Sequence, residues 1–344
     1  MTSKERVLTA IGHREPDWVP VGEWGIDHDH VTEILGRHTY WRNRRDTTRA
    51  LWDNRRDEVV ESMKTDYAEL VEKLDYDIVT VEPVPPKSHH VEQKPKEIAP
   101  GTWEDAAGNV FKYAASNDSI MYVSKREGQD EITEEDVQKA LAEVDAMDDS
   151  RFVLIDYCCD RFGKERAILC RDINIYTPIF QAFGGDFDSD LIRTVTCPEE
   201  IEKLRPVYYA FNRKLIDHCA GKGVTIMMQG QDFGMNTGRI YSPESIRQIF
   251  MPVMTQVNAD IAAAGMIPFY HCCGRIWDIL WIGVQCETLI KGSLADVENE
   301  VLKNLELLMP GGGYLFGSTN SVQFGAKTEN YLRALELVRE RGIY

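Results

Sequence analysis

Apolar and polar positions divide this chain into alternating extended and helical segments. Residues 2–12 read as a helix. Pro16 to Trp24 reads as a strand in which Val19, Val21 and Glu23 alternate with their neighbours. Residues 46–74 are helical and rich in charge, and Asp77 to Val81 is a buried strand closed by the breaker Pro83-Val84-Pro85-Pro86. Thr102-Trp103-Glu104-Asp105 and Asn109-Val110-Phe111-Lys112-Tyr113 flank an Ala-Ala-Gly turn and predict a β-hairpin. From residue 150 the alternation becomes regular. Strands are expected at Phe152 to Asp156, Arg166 to Cys170, Val224 to Met228, Ile267 to Cys272 and Tyr314 to Gly317. Helices are expected around Tyr176 to Phe183, over Pro198 to Ala220 and Pro243 to Ala264, from the cap box at Ser293 to Met309, and over 327–341. Pro252 lies inside the third of these and predicts a kink.

Strands that alternate with amphipathic helices imply a parallel sheet, and this many units points to a (β/α) barrel. The hairpin is an insertion at about residues 98–125 in one domain spanning the 344 residues. Barrel sites gather at the carboxyl ends of the strands. Four expected strand ends carry unusual chemistry: Tyr157-Cys158-Cys159-Asp160, Gln229 to Gly234, His271-Cys272-Cys273-Gly274 and Ser318-Thr319-Asn320.

Composition narrows the class. The formal charge is −17, from 39 basic and 56 acidic residues, which disfavours a nucleic-acid partner. No apolar run approaches the ~20 residues of a membrane span, and the polar start Met1 to Arg6 has no signal-peptide core, so a cytoplasmic location is expected. Eight cysteines are too few for a disulfide scaffold in a chain of this length.

The sharpest candidate is His271 with Cys273. Residues two apart on a strand share a face, so this imidazole and thiol project together while Cys272 points the other way. Such a pair is half a zinc site, or else a group that polarises or attacks a substrate. Asp232, in a glycine-rich loop after a strand, suits a general base, a substrate anchor or a metal ligand. Trp24 and His28 follow the first strand and are expected to line a pocket, with Phe233, Asn236, Tyr270 and Asn320 as further substrate contacts.

These residues resemble the uroporphyrinogen decarboxylase superfamily, and more narrowly its corrinoid-linked methyltransferase branch. The resemblance runs nearly end to end. It rests on Lys4 to Leu8 with Pro16 to Pro20, on Gln231-Asp232-Phe233-Gly234 with Tyr241-Ser242-Pro243-Glu244, on His271 to Gly274, on Gly311 to Tyr314, and on Glu329-Asn330. It implies a distorted (β/α)8 TIM-like barrel with a deep cleft. The decarboxylases' arginine-rich signature is replaced by Val19 to Trp24, which argues against a tetrapyrrole substrate. The methyltransferase branch holds zinc with a His-x-Cys pair and a later cysteine. His271 and Cys273 match the pair, but no cysteine falls near Gly317-Ser318-Thr319, so Asp232, Cys272 or Cys286 would have to substitute. The stretch from Cys273 to Gly311 is short for the family and implies a barrel compressed near its C-terminus.

The resemblance therefore implies an enzyme that moves a methyl group between a small methylated donor, such as an aryl methyl ether, and a corrinoid carried on a separate protein. Zinc on His271 and Cys273 would assist, with Asp232 orienting substrate or handling a proton. The alternatives are a metal-free decarboxylase or lyase in the same cleft, and a substrate- or corrinoid-binding protein without catalysis.

Overall fold

The computed structural model describes residues 1–125, 131–174, 187–235, 238–271 and 283–344. Helix α1 (Ser3–Ile11) starts at a capping box in which Thr2 and Glu5 satisfy each other's backbone N–H groups. Helices α2 (His28–Leu35), α3 (Arg44–Trp52) and α4 (Arg56–Leu74) follow. The expected single helix over 46–74 is thus two helices, separated by a turn at Asn54 with φ of 57°. Strand β1 (Ile78–Val81) is buried throughout.

The insertion is larger than a hairpin. Strands β2 (Lys96–Ala99), β3 (Thr102–Glu104), β4 (Asn109–Ala114) and β5 (Ser119–Lys125) form a four-stranded antiparallel sheet. Its β3–β4 turn is the expected Ala-Ala-Gly segment. Trp103 and Ile120 of this sheet pack on Trp52 of α3, which gives it a small core of its own.

Helices α5 (Glu134–Asp145) and α6 (Val153–Phe162) come next. Here the expected strand at Phe152 to Asp156 is corrected: its residues end a 3₁₀ turn and open α6. Leu154, Ile155, Cys158, Cys159 and Phe162 are all buried, a helical spacing that a five-residue window reads as extended. Tyr157 to Asp160 is therefore not a strand end. Burial pushes the Cys158 and Cys159 thiols up, so they are packing groups and not nucleophiles.

Strand β6 (Ala167–Asn174), β7 (Ile226–Gly230), the two-residue strands β8 and β9 at 234–235 and 238–239, and β10 (Ile267–His271) complete the strands. Between β6 and β7 the expected long helix is two, Pro198–Lys203 and Arg205–Lys222. The helical segment expected around Tyr176 lies outside the described residues. Before β10, a π-helical turn at Ile246–Phe250 runs into the helix Met251–Ala263. Pro252 is the reason: it lacks an N–H, and the wider turn relieves its clash with the preceding carbonyl.

The main sheet is parallel, in the order β1-β6-β7-β10. Isolated parallel bridges extend it past β1: Gly22 pairs with Ile78, Val21 with Phe316, and Ser318 with Val284. The strands expected at Pro16 to Trp24 and Tyr314 to Gly317 exist only as these bridges. The chain closes with helices Leu294–Leu308, capped by Ser293, and Thr328–Arg341. Among the described residues no helix is long and apolar enough to cross a membrane.

Strand parity sorts the core. Val79, Val81, Ile168, Cys170 and Met227 face the surrounding helices. Ile78, Ala167, Leu169, Ile226 and Met228 face inward, where Val7 of α1 and Ile267 and Phe269 of β10 pack on them. Gly283 lies so close to the Gly317 carbonyl that a Cβ there would overlap it. Gly283→Ala is expected to force the Val284–Ser318 bridge apart and cost about 1–3 kcal/mol, read as a lowered denaturation midpoint. An unchanged midpoint would show that the two segments separate freely.

Candidate active site

The inward face of the sheet ends in a small cavity. Parity builds it. Ile78, Leu169, Met228 and Phe269 form an apolar floor. One step further along their strands, at the carboxyl ends, stand Thr80, Arg171 and His271. Segments 23–24 and 318–320 supply Glu23, Trp24, Ser318, Thr319 and Asn320 to the same cavity.

His271 is the last residue of β10 and is half-buried. Its ring stacks on Trp24 with centroids 4.6 Å apart and planes 13° from parallel. The Arg171 guanidinium also lies over the Trp24 ring, 4.7 Å from its centroid, and pairs with Glu82. Burial holds His271 below its ordinary pKa, Asp232 opposes that, and Arg171 adds to it. Burial thus disfavours the charged imidazole. Beside Arg171 lies Arg42, whose Nε donates to Asp27 at 2.9 Å. Burial first and the Arg171 charge second push Arg42 down to about 10.

Glu23 is the residue that sequence reasoning missed. Its carboxyl group is buried, yet it faces the cavity. The Ser318 N–H donates to Oε2 at 3.0 Å and the Trp24 N–H to Oε1 at 2.9 Å. Tyr331 also favours the charged carboxylate. Burial outweighs these donors and pushes its pKa up to about 8. The Glu23 backbone is pinned as well, because Thr80 Oγ1 donates to its carbonyl at 2.7 Å. The alternation Val19, Val21, Glu23 was the available signal: an acid in the third buried position of an apolar segment.

The other expected site residues divide. Trp24, His271 and Asn320 line the cavity. Asp232 is exposed in the loop after β7 and reaches His271 through its charge. Phe233 and Tyr270 turn away from the cavity. Phe233 is buried against Tyr241, Phe250 and Tyr270, and the Tyr270 hydroxyl donates to the Gln231 carbonyl at 2.6 Å. Parity explains Tyr270, since it alternates with Phe269 and His271. His28 opens α2 and does not line the cavity. It meets Asp118 of the inserted sheet at 3.0 Å, where Arg45 and Tyr113 also bind that carboxylate.

Asn236, Cys272 and Cys273 lie outside the described residues. Among the described residues no group of three or more His, Cys, Asp and Glu side chains converges to hold a metal. Cys286, one of the expected substitutes for the third ligand, is half-buried, with its sulfur 3.8 Å from Thr319 Oγ1.

No family model matches this sequence, and no curated protein sequence matches it either. The fold is comparable to a solved structure. A methyltransferase from Methanosarcina mazei superposes with a TM-score of 0.59 over 99% of this chain and 98% of that chain, at 14% sequence identity. At that identity the likeness is one of fold: the chain is a mixed α/β protein, built on a parallel sheet, with the architecture of that methyltransferase.

Proposed function

We propose that this chain is a methyltransferase that takes a methyl group from a small methylated compound bound in the cavity and passes it to a corrinoid on a separate protein. The observation that carries this reading is that His271 and the buried acid Glu23 line one cavity at the ends of parallel strands. The fold shared with a methyltransferase supports it. The run of parallel pairings from Val284 through Ser318, Val21 and β1 to β10 supports the reading of a distorted (β/α)8 barrel.

The cavity suits the substrate class. An apolar floor and the Trp24 ring accept a methyl or aryl group, while Ser318, Thr319 and Asn320 offer polar contacts at one side. We infer zinc at His271 and Cys273. When bound, it would supply a Lewis acid at the donor's heteroatom or hold an acceptor thiolate. The described residues contribute only His271 to such a centre, so every step assigned below uses other groups. Stacking on Trp24 fixes the plane of the His271 ring, and Asp232 biases its charge.

Protein prepared without chelators is expected to hold about one zinc per chain and to methylate cob(I)alamin from anisole. His271→Ala should lose both properties. Cys273→Ala should hurt more than Cys272→Ala, because His271 and Cys273 share strand parity. Metal-free protein with full turnover would remove zinc from the reading. Wild-type protein that forms no methylcobalamin would remove methyl transfer itself.

A further inference from the structure

We propose that Glu23 is the proton donor of the reaction, giving its carboxyl proton to the leaving heteroatom, and that Tyr331, backed by Tyr76, positions that carboxyl group. The step rests on the methyl-transfer reading above. In it the acceptor, a Co(I) corrinoid acting as co-substrate, supplies the electron pair of the new bond to carbon. The methyl–heteroatom bond breaks and its electron pair stays on the heteroatom. The Glu23 proton moves to that atom, leaving a neutral alcohol, phenol or amine and the Glu23 carboxylate.

Three observations lead here. First, the carboxyl group is buried and yet lines the cavity, and the Ser318 hydroxyl donates to its Oε1 at 2.8 Å. Second, the site is built for the carboxylate that proton donation creates. The Ser318 and Trp24 N–H groups both donate to Glu23, and Tyr331 favours its charged form. Donors set in place before the charge forms are the arrangement that stabilises a transition state. Third, a second phenol stands behind the first. Tyr76 and Tyr331 hydroxyls are 2.5 Å apart, and both residues are fully buried. Only one phenol donates across that contact, so the other hydroxyl proton is left for a further acceptor.

The titratable groups around Glu23 leave it as the one that changes charge near neutrality. Tyr331 and Tyr76 behind it are pushed well above the ordinary tyrosine range by burial. Cys286, on the Thr319 side, is pushed up by burial, with the Glu23 charge adding to that. His271 lines the same cavity.

The experiment has two arms. In the first, infrared difference spectra of the full chain follow the carboxylic-acid C=O stretch across pH, without substrate. The wild type should show a band that titrates well above the ordinary carboxyl range and is absent in Glu23→Gln. In Tyr331→Phe the midpoint should move up, because a donor to the carboxylate is gone. A Glu23 signal that titrates in the ordinary range, or one that Tyr331→Phe leaves in place, overturns the proposal. In the second arm, methyl transfer to cob(I)alamin is compared between anisole and 4-nitroanisole. Loss of a general acid should cost about 100-fold or more with the basic phenoxide leaving group and far less with nitrophenoxide. Equal losses on the two donors would make Glu23 a structural residue. Absence of transfer by the wild type would overturn the methyl-transfer reading and the step with it, while the infrared arm still decides the buried acid.

Discussion

Between about pH 4.5 and about pH 8, the wild type is expected to lose stability that a Glu23→Gln variant keeps. The Glu23 carboxyl group has an ordinary value of 4.5 and a folded value of about 8. The folded state therefore binds a proton across this window that the unfolded chain has already released. Stability falls with rising pH wherever the folded state holds more protons. The contribution is fully present below about 4.5 and is gone above about 8. At about 1.4 kcal/mol per pK unit the whole loss is on the order of 4–5 kcal/mol. In the Glu23→Gln variant a backbone N–H would face the new side-chain amide, which adds a constant penalty, so the slope and not the offset carries the result. Urea denaturation of both proteins from pH 5 to pH 9 reads it. Parallel curves would mean that the folded carboxyl group titrates in the ordinary range.

Replacing Arg6 should destabilise the fold by about 3–5 kcal/mol, the usual cost of removing one partner from a buried ion pair. Arg6 is buried in α1. Its Nε donates to Asp17 at 2.7 Å and its Nη1 to Asp77 at 2.5 Å, and the guanidinium lies 3.6 Å from the Trp18 ring centroid. Asp77 is itself buried and accepts from the Val21 N–H at 2.8 Å. One guanidinium thus ties the first helix, the loop after it and the start of β1 to the segment that carries Glu23. In Arg6→Met the Asp77 charge would be stranded, whereas Arg6→Met with Asp77→Asn removes the charge and keeps an acceptor for Val21. The double variant should recover much of the loss in thermal denaturation. If it is no more stable than Arg6→Met, the loss belongs to packing on Trp18 and not to the buried charge.

Much of the fold was legible along the chain because it is written in local periodicity. Alternation placed β1, β6, β7 and β10 within a few residues, and the Ser293 cap and the closing helix were readable from their end signals. The misreading at Phe152 came from a window too short to separate a strand from one face of a helix. The splits at Asn54 and between Lys203 and Arg205 depend on single residues that periodicity passes over.

Parity within one strand was likewise enough to set His271 apart from Tyr270, although Tyr270 and Phe233 looked equally suited to bind substrate. Their aromatic rings belong to a cluster with Tyr241 and Phe250 that only packing assembles. His28 looked like part of the pocket until Asp118, 90 residues away, claimed it.

The sequence by itself determined which residues share a strand face, and so which could stand at the carboxyl ends of a parallel sheet. Tertiary structure decided which of them meet. Glu23 and Ser318 are 295 residues apart, Tyr76 and Tyr331 are 255 apart, and nothing local marks the four as one group. Their chemistry is made by burial. A glutamate in solution is an anion, and Glu23 becomes an acid because the fold removes its water and leaves donors that only partly replace it.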